Sequence, residues 1–366
     1  LEDIETPISG IQFVHFLTDG VVPDHGHGAH TRFQHKTFYV GRDTQEFVAT
    51  DKVDYVPISI SQVHRLIETG RIPIDVALIQ LSPPDEEGMC SFGVSVALAP
   101  VAARKAKTVI AEVNPNMPRT MGDTTIHIND IDHLVEVETP IIEYVHEPAD
   151  EVGQQIARYV ARIIDDGATL QIGLGRIPNE MLKYLTNRRD LGIHSDVVTE
   201  PVVDLIKQGV ITGARKTLHP NKVVSSYCMG TRRLYDLIDG NPTFSFQPID
   251  YTCNPETIAS NAKMVSVTQA FSMDLSGQIC ADQYQGEFYG GVSSQPDFIR
   301  GAAAAGGKAV ICLASTSEHS LSIPLSNRNA HANRYEVHTQ GGGIRPHGRT
   351  RRPRSPHVHG LQQQQQ

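Results

Sequence analysis

Asp196 and Glu200 stand four positions apart in the run Leu191-Gly-Ile-His-Ser-Asp-Val-Val-Thr-Glu-Pro-Val202. A short strand over 192–195 would deliver both acids near the carboxyl end of a sheet, where the clefts of open α/β folds form. Carboxylates in that position act as nucleophiles or general bases; the same residues elsewhere cap helices or face water. Upstream, Gly173-Leu-Gly-Arg-Ile-Pro178 reads as a strand end, a glycine turn and a helix start. Gly173 and Gly175 allow close backbone approach, and Pro178 suits a first helical turn. Amides at such a start suit a phosphate, a carboxylate or a developing oxyanion, and an ordinary strand–helix turn has the same pattern. Arg176 is placed to meet an anion or to form a surface ion pair. The third glycine of the dinucleotide fingerprint is missing, and no GxxxxGK[ST] loop occurs.

Two further loops have polar, glycine-bearing sequences. Phe288-Tyr-Gly-Gly-Val-Ser-Ser-Gln-Pro-Asp-Phe298 leads into a helical stretch and can oppose the first glycine turn across a cleft. Ser82-Pro-Pro-Asp-Glu-Glu-Gly-Met-Cys-Ser-Phe-Gly-Val-Ser95 follows an apolar strand; functional loops often have this setting. His25, His27 and His30 lie in a glycine-rich run with no Cys or carboxylate cluster beside them, and no metal site is expected there.

The elements that position these groups alternate. A helix is expected over 149–166, with Asp150 as cap, Ile156, Val160, Ile163 and Ile164 as its apolar stripe and Gly167 as its stop. A strand over 169–172 and a helix over 178–185 follow. More strands are expected over 223–226, 244–246, 265–268 and 309–313, with a helix over 231–238. The first part has the same grammar, with strands over 76–81 and 108–113 and a helix over 96–106 in which Pro100 forces a kink or a fresh start. Alternation of this kind implies α/β architecture with mainly parallel sheets, in two successive units joined around 138–149.

Composition bounds the rest. With 366 residues, 39% hydrophobic and 20% charged, the chain is of globular type and long enough for two domains. No apolar run reaches the ~18 residues that a membrane span needs. The acidic start Leu1-Glu2-Asp3-Ile4-Glu5 has no secretory-signal pattern. Five widely spaced cysteines (Cys90, Cys228, Cys253, Cys280 and Cys312) suggest reduced thiols, so a cytoplasmic location is expected. The net charge is −9, yet the segment from Ser322 onward holds seven Arg and one Glu, so the body is more acidic still. An acidic body disfavours nucleic acid, and any anionic ligand must be held by local amides and a few placed cations. Residues 322–366 form a basic, low-complexity tail to which no function is assigned.

Taken in order, several stretches resemble the acetyl-CoA hydrolase/transferase family, which includes 4-hydroxybutyrate and butyrate:acetate CoA-transferases. They are SPPDEEGMCSFGVSV (82–96), AEVNPNMPRTMGDTTIHINDID (111–132), LQIGLGRIPNEML (170–182), LGIHSDVVTEPVVDLIKQGVITGARKTLHPNKVV (191–224), MGTRRLYDLIDGNP (229–242) and GQICADQYQGEFYGGVSSQPDFIRGAA (277–303). The resemblance covers about residues 50–316. It implies two tandem related open α/β/α domains of CoA-transferase type, 1–148 (shortened at its front) and 149–321 (carrying the catalytic acid), with 322–366 as tail. It also implies acyl-CoA and a short-chain carboxylic acid as substrates, a homo-oligomer, and no permanently bound cofactor or metal.

The mechanism that the resemblance implies starts with a carboxylate attacking the acyl-CoA carbonyl, and an enzyme–CoA thioester follows. The family's nucleophilic Glu follows the His-Ser pair of LGIHSE; here that position holds Asp196, with Glu200 in reserve. The family's GVGGQ run reads Gly291-Val-Ser-Ser-Gln295, so Ser293 and Ser294 replace glycines. Gly173, Gly175 and Gly291 are expected to shape the oxyanion and CoA pocket, and Asn254 resembles an oxyanion-assisting Asn. An acyl-CoA hydrolase and a non-catalytic CoA-binding paralogue remain the alternatives.

Overall fold

The computed structural model describes residues 10–17, 33–41, 44–49, 52–284, 286–317 and 320–321. His25, His27 and His30, and the whole of the basic segment 322–366, lie outside these residues.

The second half is organised around six parallel strands in the spatial order Phe244–Phe246, Val223–Ser225, Gly192–His194, Thr169–Ile172, Met264–Gln269 and Lys308–Cys312. The first strand in sequence, Thr169–Ile172, is central. The chain builds outward from it on one side through Gly192–His194, then returns to its other side with Met264–Gln269. The strand order therefore reverses at Thr169–Ile172, and the crevice at such a reversal is the usual ligand site of open α/β sheets. The strands at the reversal are buried on both faces, as parallel strands covered by helices must be.

The expected helix over 149–166 is shorter, Glu151–Arg162. The Asp150 carboxylate caps it by accepting from the Gly153 amide at 2.7 Å. At its end the Lys308 ammonium takes the carbonyl of the capping residue Ile163 at 2.7 Å, and Gly167, at φ +72°, turns the chain five residues after Arg162. The next helix is Arg176–Leu182, two residues earlier than Pro178 suggests. Pro178 still falls within the first turn, where a missing N–H costs nothing. The helix Ala99–Lys105 starts afresh at Pro100 rather than kinking.

The first half holds a parallel sheet of Val76–Leu81, Thr108–Val113 and His133–Glu136. A separate parallel sheet of Ile11–His15, Phe33–Thr37 and Val53–Tyr55 was not legible in the sequence. The long loop after Val76–Leu81 contains a short strand, Met89–Ser91, paired antiparallel with Thr125–His127. Residues 137–150 carry no helix or strand. The architecture is mixed α/β with mainly parallel sheets, as the alternation implies.

Backbone hydrogen bonds stitch the halves together at several places, among them two that border the site. The Val96 amide donates to Ser226 at 2.9 Å and the Cys228 amide to Val94 at 2.9 Å. Val40 and Gly290 exchange bonds at 2.6 and 2.8 Å, and the Ile60 amide donates to the Ser293 carbonyl at 3.0 Å. One apolar core runs through both halves, with Ile79, Leu81 and Ala111 in the same cluster as Leu170, Ile193 and Val223.

Candidate functional site

Asp196 sits just past the strand Gly192–His194, at the carboxyl end of the sheet and beside the strand reversal. Its carbonyl is pinned by the Ser226 amide at 2.9 Å and the Tyr227 amide at 3.1 Å, with the Ser225 hydroxyl, shared with the Tyr227 carbonyl at 2.9 Å, standing 3.0 Å away. Its carboxylate is only 3% exposed as part of the residue. The Ser294 hydroxyl donates to Oδ2 at 2.7 Å, the Tyr227 hydroxyl to the same oxygen at 3.3 Å, and the Ser195 hydroxyl to Oδ1 at 3.4 Å. Burial pushes the Asp196 carboxyl above the ordinary carboxylate range; the Ser294 hydroxyl opposes this most, with the Gln171 amide assisting. The arrangement is an oriented carboxylate on a rigid backbone, suited to nucleophilic attack on an acyl carbon.

His194, two residues earlier, is fully buried. Its Nε2 bonds the Thr252 carbonyl at 2.9 Å, and burial, with the Lys216 charge next, lowers its pKa to about 3, so the ring is neutral. A neutral buried histidine at this place packs against Phe298 rather than shuttling protons. Lys216 is buried too, its ammonium held by the Ile193 and Lys222 carbonyls at 2.7 and 2.9 Å, and burial lowers its pKa to about 7.

Glu200 is turned to other partners. Its Oε2 accepts from the Thr231 amide at 3.0 Å, at the N-cap of the helix Arg232–Ile238, and its Oε1 lies 3.6 Å from the Arg233 guanidinium. No hydrogen bond joins it to Asp196 among the described residues. A carboxylate at a helix start satisfies orphan amides and the positive end of the dipole, which is a structural assignment.

The glycine turn is tightly engaged. The Gly173 amide donates to the Val267 carbonyl at 2.8 Å, so it is spent on the sheet rather than left for an oxyanion. The Gly175 carbonyl accepts from the Asn179 side-chain amide at 2.9 Å, and the Gln269 side chain accepts from the Ile177 amide at 3.2 Å. Arg176 forms an exposed ion pair with Glu147. Of its two sequence readings, the structure shows the surface pair. Asn254 caps the helix Pro255–Ala259, its side-chain oxygen accepting from the Glu256 amide at 2.8 Å and the Thr257 amide at 3.4 Å.

Gly291 lies three residues before Ser294 in the second glycine loop and packs against Phe38 and Tyr39. A Cβ there would fall 2.7 Å from the Phe38 carbonyl oxygen, so the loop can lie against the first half only as glycine. Ser293 holds a left-handed φ of +49°, a conformation that glycine adopts freely and serine adopts under strain. Ser294 is the N-cap residue of Gln295–Ala304, yet its side chain makes no cap bond and goes to Asp196 instead.

Sequence reasoning passed over Tyr227 and Asp297. Asp297 is 3% exposed and accepts from the Ser61 hydroxyl at 2.7 Å; burial raises its pKa to about 6, and the nearby Asp196 adds to the rise. An acid three residues into a Ser-Gln-Pro-Asp helix start reads as a routine first-turn carboxylate, so no local signal marks its burial. A cleft of about 340 Å³ opens elsewhere, lined by Ser82, Asp85, Asn116, Arg119, Tyr235 and Asp239 among others. Asp196 does not line it.

The N-terminal-domain model of the acetyl-CoA hydrolase/transferase family matches residues 8–146, and the C-terminal-domain model matches residues 230–339. Asp196 and Glu200 lie between the two matched stretches. The chain is 43% identical over 309 residues to the 4-hydroxybutyrate coenzyme A transferase of Clostridium kluyveri, covering 84% of this chain and 72% of that one. It is 34% identical over 315 residues to the succinyl-CoA:acetate/propanoyl-CoA:succinate CoA transferase of Fasciola hepatica, covering 85% of this chain and 66% of that one. Among solved structures, the 4-hydroxybutyrate CoA-transferase of Porphyromonas gingivalis superposes with a TM-score of 0.71 at 34% identity, covering 87% of this chain and 81% of that one. RipA from Yersinia pestis superposes with a TM-score of 0.75, also at 34% identity, covering 80% and 69%. By both domain models and by these relatives, the chain belongs to the acetyl-CoA hydrolase/transferase family of enzymes.

Proposed function

We propose that the chain moves CoA between a short-chain acyl-CoA and a carboxylate such as acetate, with Asp196 as the nucleophile. The observation that carries this is the Asp196 carboxylate itself, oriented by hydroxyls at the carboxyl end of the sheet beside the strand reversal. An Asp196 oxygen attacks the thioester carbonyl carbon, the C–S bond breaks, and CoA leaves as thiolate with the electron pair. The thiolate then attacks the Asp196 carbonyl carbon of the mixed anhydride and expels the acyl group as a carboxylate. The incoming acid reverses both steps: it forms a new anhydride on Asp196 and is then taken off as the new acyl-CoA. No net charge or redox change is needed. Because Asp196 is 3% exposed, the thioester reaches it only when the side chains above it part. Residues 1–148 and 149–321 are read as the two units that close on this site, in a homo-oligomer.

The test is mass spectrometry of the protein incubated with acetyl-CoA, with and without added butyrate. A CoA or acyl adduct on Asp196, with butyryl-CoA formed only when butyrate is present, is the expected result. Asp196→Asn should abolish the adduct and lower transfer on the order of 10³-fold or more. CoA release independent of acceptor acid would instead identify a hydrolase. Binding of CoA with no adduct on any acid would identify a non-catalytic paralogue.

A further inference from the structure

We propose that Ser294 is a positioning residue that holds the Asp196 carboxylate in its attacking orientation, so that the two residues work as a matched short-acid and hydroxyl pair. This rests on the transfer reading given above. It starts from the backbone. With two amides on its carbonyl, Asp196 cannot readily advance toward a substrate by shifting its main chain, so the reach and aim of its carboxylate are set by side-chain length and by what grips the oxygens. Of the side-chain grips, the Ser294 hydroxyl at 2.7 Å is the shortest; Tyr227 and Ser195 stand at 3.3 and 3.4 Å.

Ser294 is also misused for anything else. A serine at a helix N-cap ordinarily accepts from an amide of the first turn. Ser294 makes no such bond, and its hydroxyl faces the carboxylate. The loop that carries it is fixed from the other side, with Gly290 bonded to Val40 and the Ser293 carbonyl to Ile60. Ser294 therefore presents its hydroxyl from a rigid support rather than from a wandering loop.

The resemblance set out from the sequence places Glu and Gly where this chain has Asp196 and Ser294. A glutamate carries its carboxyl one C–C bond, ~1.5 Å, further out. Extended in the direction the aspartate now takes, it would meet the serine oxygen that stands 2.7 Å from Oδ2. On this proposal the lost methylene on one side is matched by the gained hydroxymethyl on the other. A nucleophile left about 1 Å out of place loses on the order of 100-fold in rate.

The experiment compares acetyl-CoA:butyrate transfer and Asp196 adduct formation in wild type, Ser294→Ala, Ser294→Gly, Asp196→Glu and the double variant D196E/S294G. Thermal unfolding of each checks that it folds. Either Ser294 substitution is expected to lower kcat ~10- to 100-fold with KM for acetyl-CoA changed less than about 3-fold, the adduct still forming on Asp196. Asp196→Glu alone is expected to be poorly active, and adding Ser294→Gly to recover at least about 10-fold. A purely structural serine would give no such rescue, because its two losses would add. The pairing is overturned if Ser294→Ala and Ser294→Gly both keep kcat within about 2-fold while Asp196 is labelled, or if Asp196→Glu is fully active with Ser294 in place. Absence of any Asp196 label in the wild type would instead sink the transfer reading, and the pairing with it.

Discussion

The Ser61 hydroxyl donates to the Asp297 carboxylate at 2.7 Å across 236 positions of sequence. Ser61 is the second residue of the helix Ile60–Glu68 of the first half, and Asp297 lies in the first turn of Gln295–Ala304 in the second. The pair joins the two helix starts, and the Ile60 amide holds the loop before Gln295 by donating to the Ser293 carbonyl at 3.0 Å.

Asp297 gives the stability of the protein a defined pH dependence. Burial raises its carboxyl from 3.8 to about 6, so the fold favours the neutral acid. The stabilisation is fully present below about 4, where the unfolded chain is also protonated, and is lost as pH rises through about 6. A shift of that size corresponds to about 3 kcal/mol between those limits. Asp297→Asn keeps an acceptor for Ser61 and removes the titration. Urea unfolding at pH 4, 5, 6 and 7 is expected to show the wild type losing stability relative to the variant over that range. Parallel curves for the two proteins would show that Asp297 titrates normally.

Glu200 is expected to serve the fold and not the chemistry. Glu200→Gln preserves an acceptor for the Thr231 amide, so both stability and the Asp196 adduct should survive. Glu200→Ala strands that amide at a helix start and should cost about 1 kcal/mol, mostly from the lost cap, because the Arg233 pair is exposed to solvent. Loss of all transfer activity in Glu200→Gln, with the protein still folded, would move the nucleophile to Glu200.

Gly291→Ala is expected to be the most damaging of the loop glycine substitutions at the site. Its new Cβ would lie 2.7 Å from the Phe38 carbonyl oxygen, backbone that cannot swing aside, whereas Gly173→Ala meets its nearest atom at 3.2 Å. Overpacking of this kind costs about 1–3 kcal/mol, and relief by moving the loop would carry Ser294 off Asp196. Differential scanning calorimetry of the two variants ranks them directly. A Gly291→Ala protein as stable as Gly173→Ala would contradict the packing account.

Much of the frame was legible because it is local. Strands over 169–172, 244–246, 76–81 and 108–113 were placed correctly by apolar runs between turn residues. Asp150 and Pro100 marked helix starts through capping and ring chemistry that need no tertiary partner. The helix end at Arg162 was not legible, because Lys308, far along the chain, takes the carbonyl of the capping residue Ile163. The resemblance suggests an oxyanion aid at Asn254, whereas Asn-Pro-Glu is also a capping pattern, and the side chain caps Pro255–Ala259. Gly173 likewise has its amide taken by Val267, a strand partner that only sheet order identifies.

The sequence by itself determined the alternating α/β frame, the family, and the position of an acid after His194-Ser195, because periodicity, turn chemistry and contiguous motifs are written along the chain. Only the tertiary structure decided which groups hold that acid. Ser294, 98 residues away, reaches Asp196 because strand order returns the chain to the central strand and the loop folds against the first half. It likewise turned Glu200 to a helix start and buried Asp297 beside Ser61. Hydrogen bonds at 2.7 Å between distant residues depend on packing, and no spacing in the sequence encodes them.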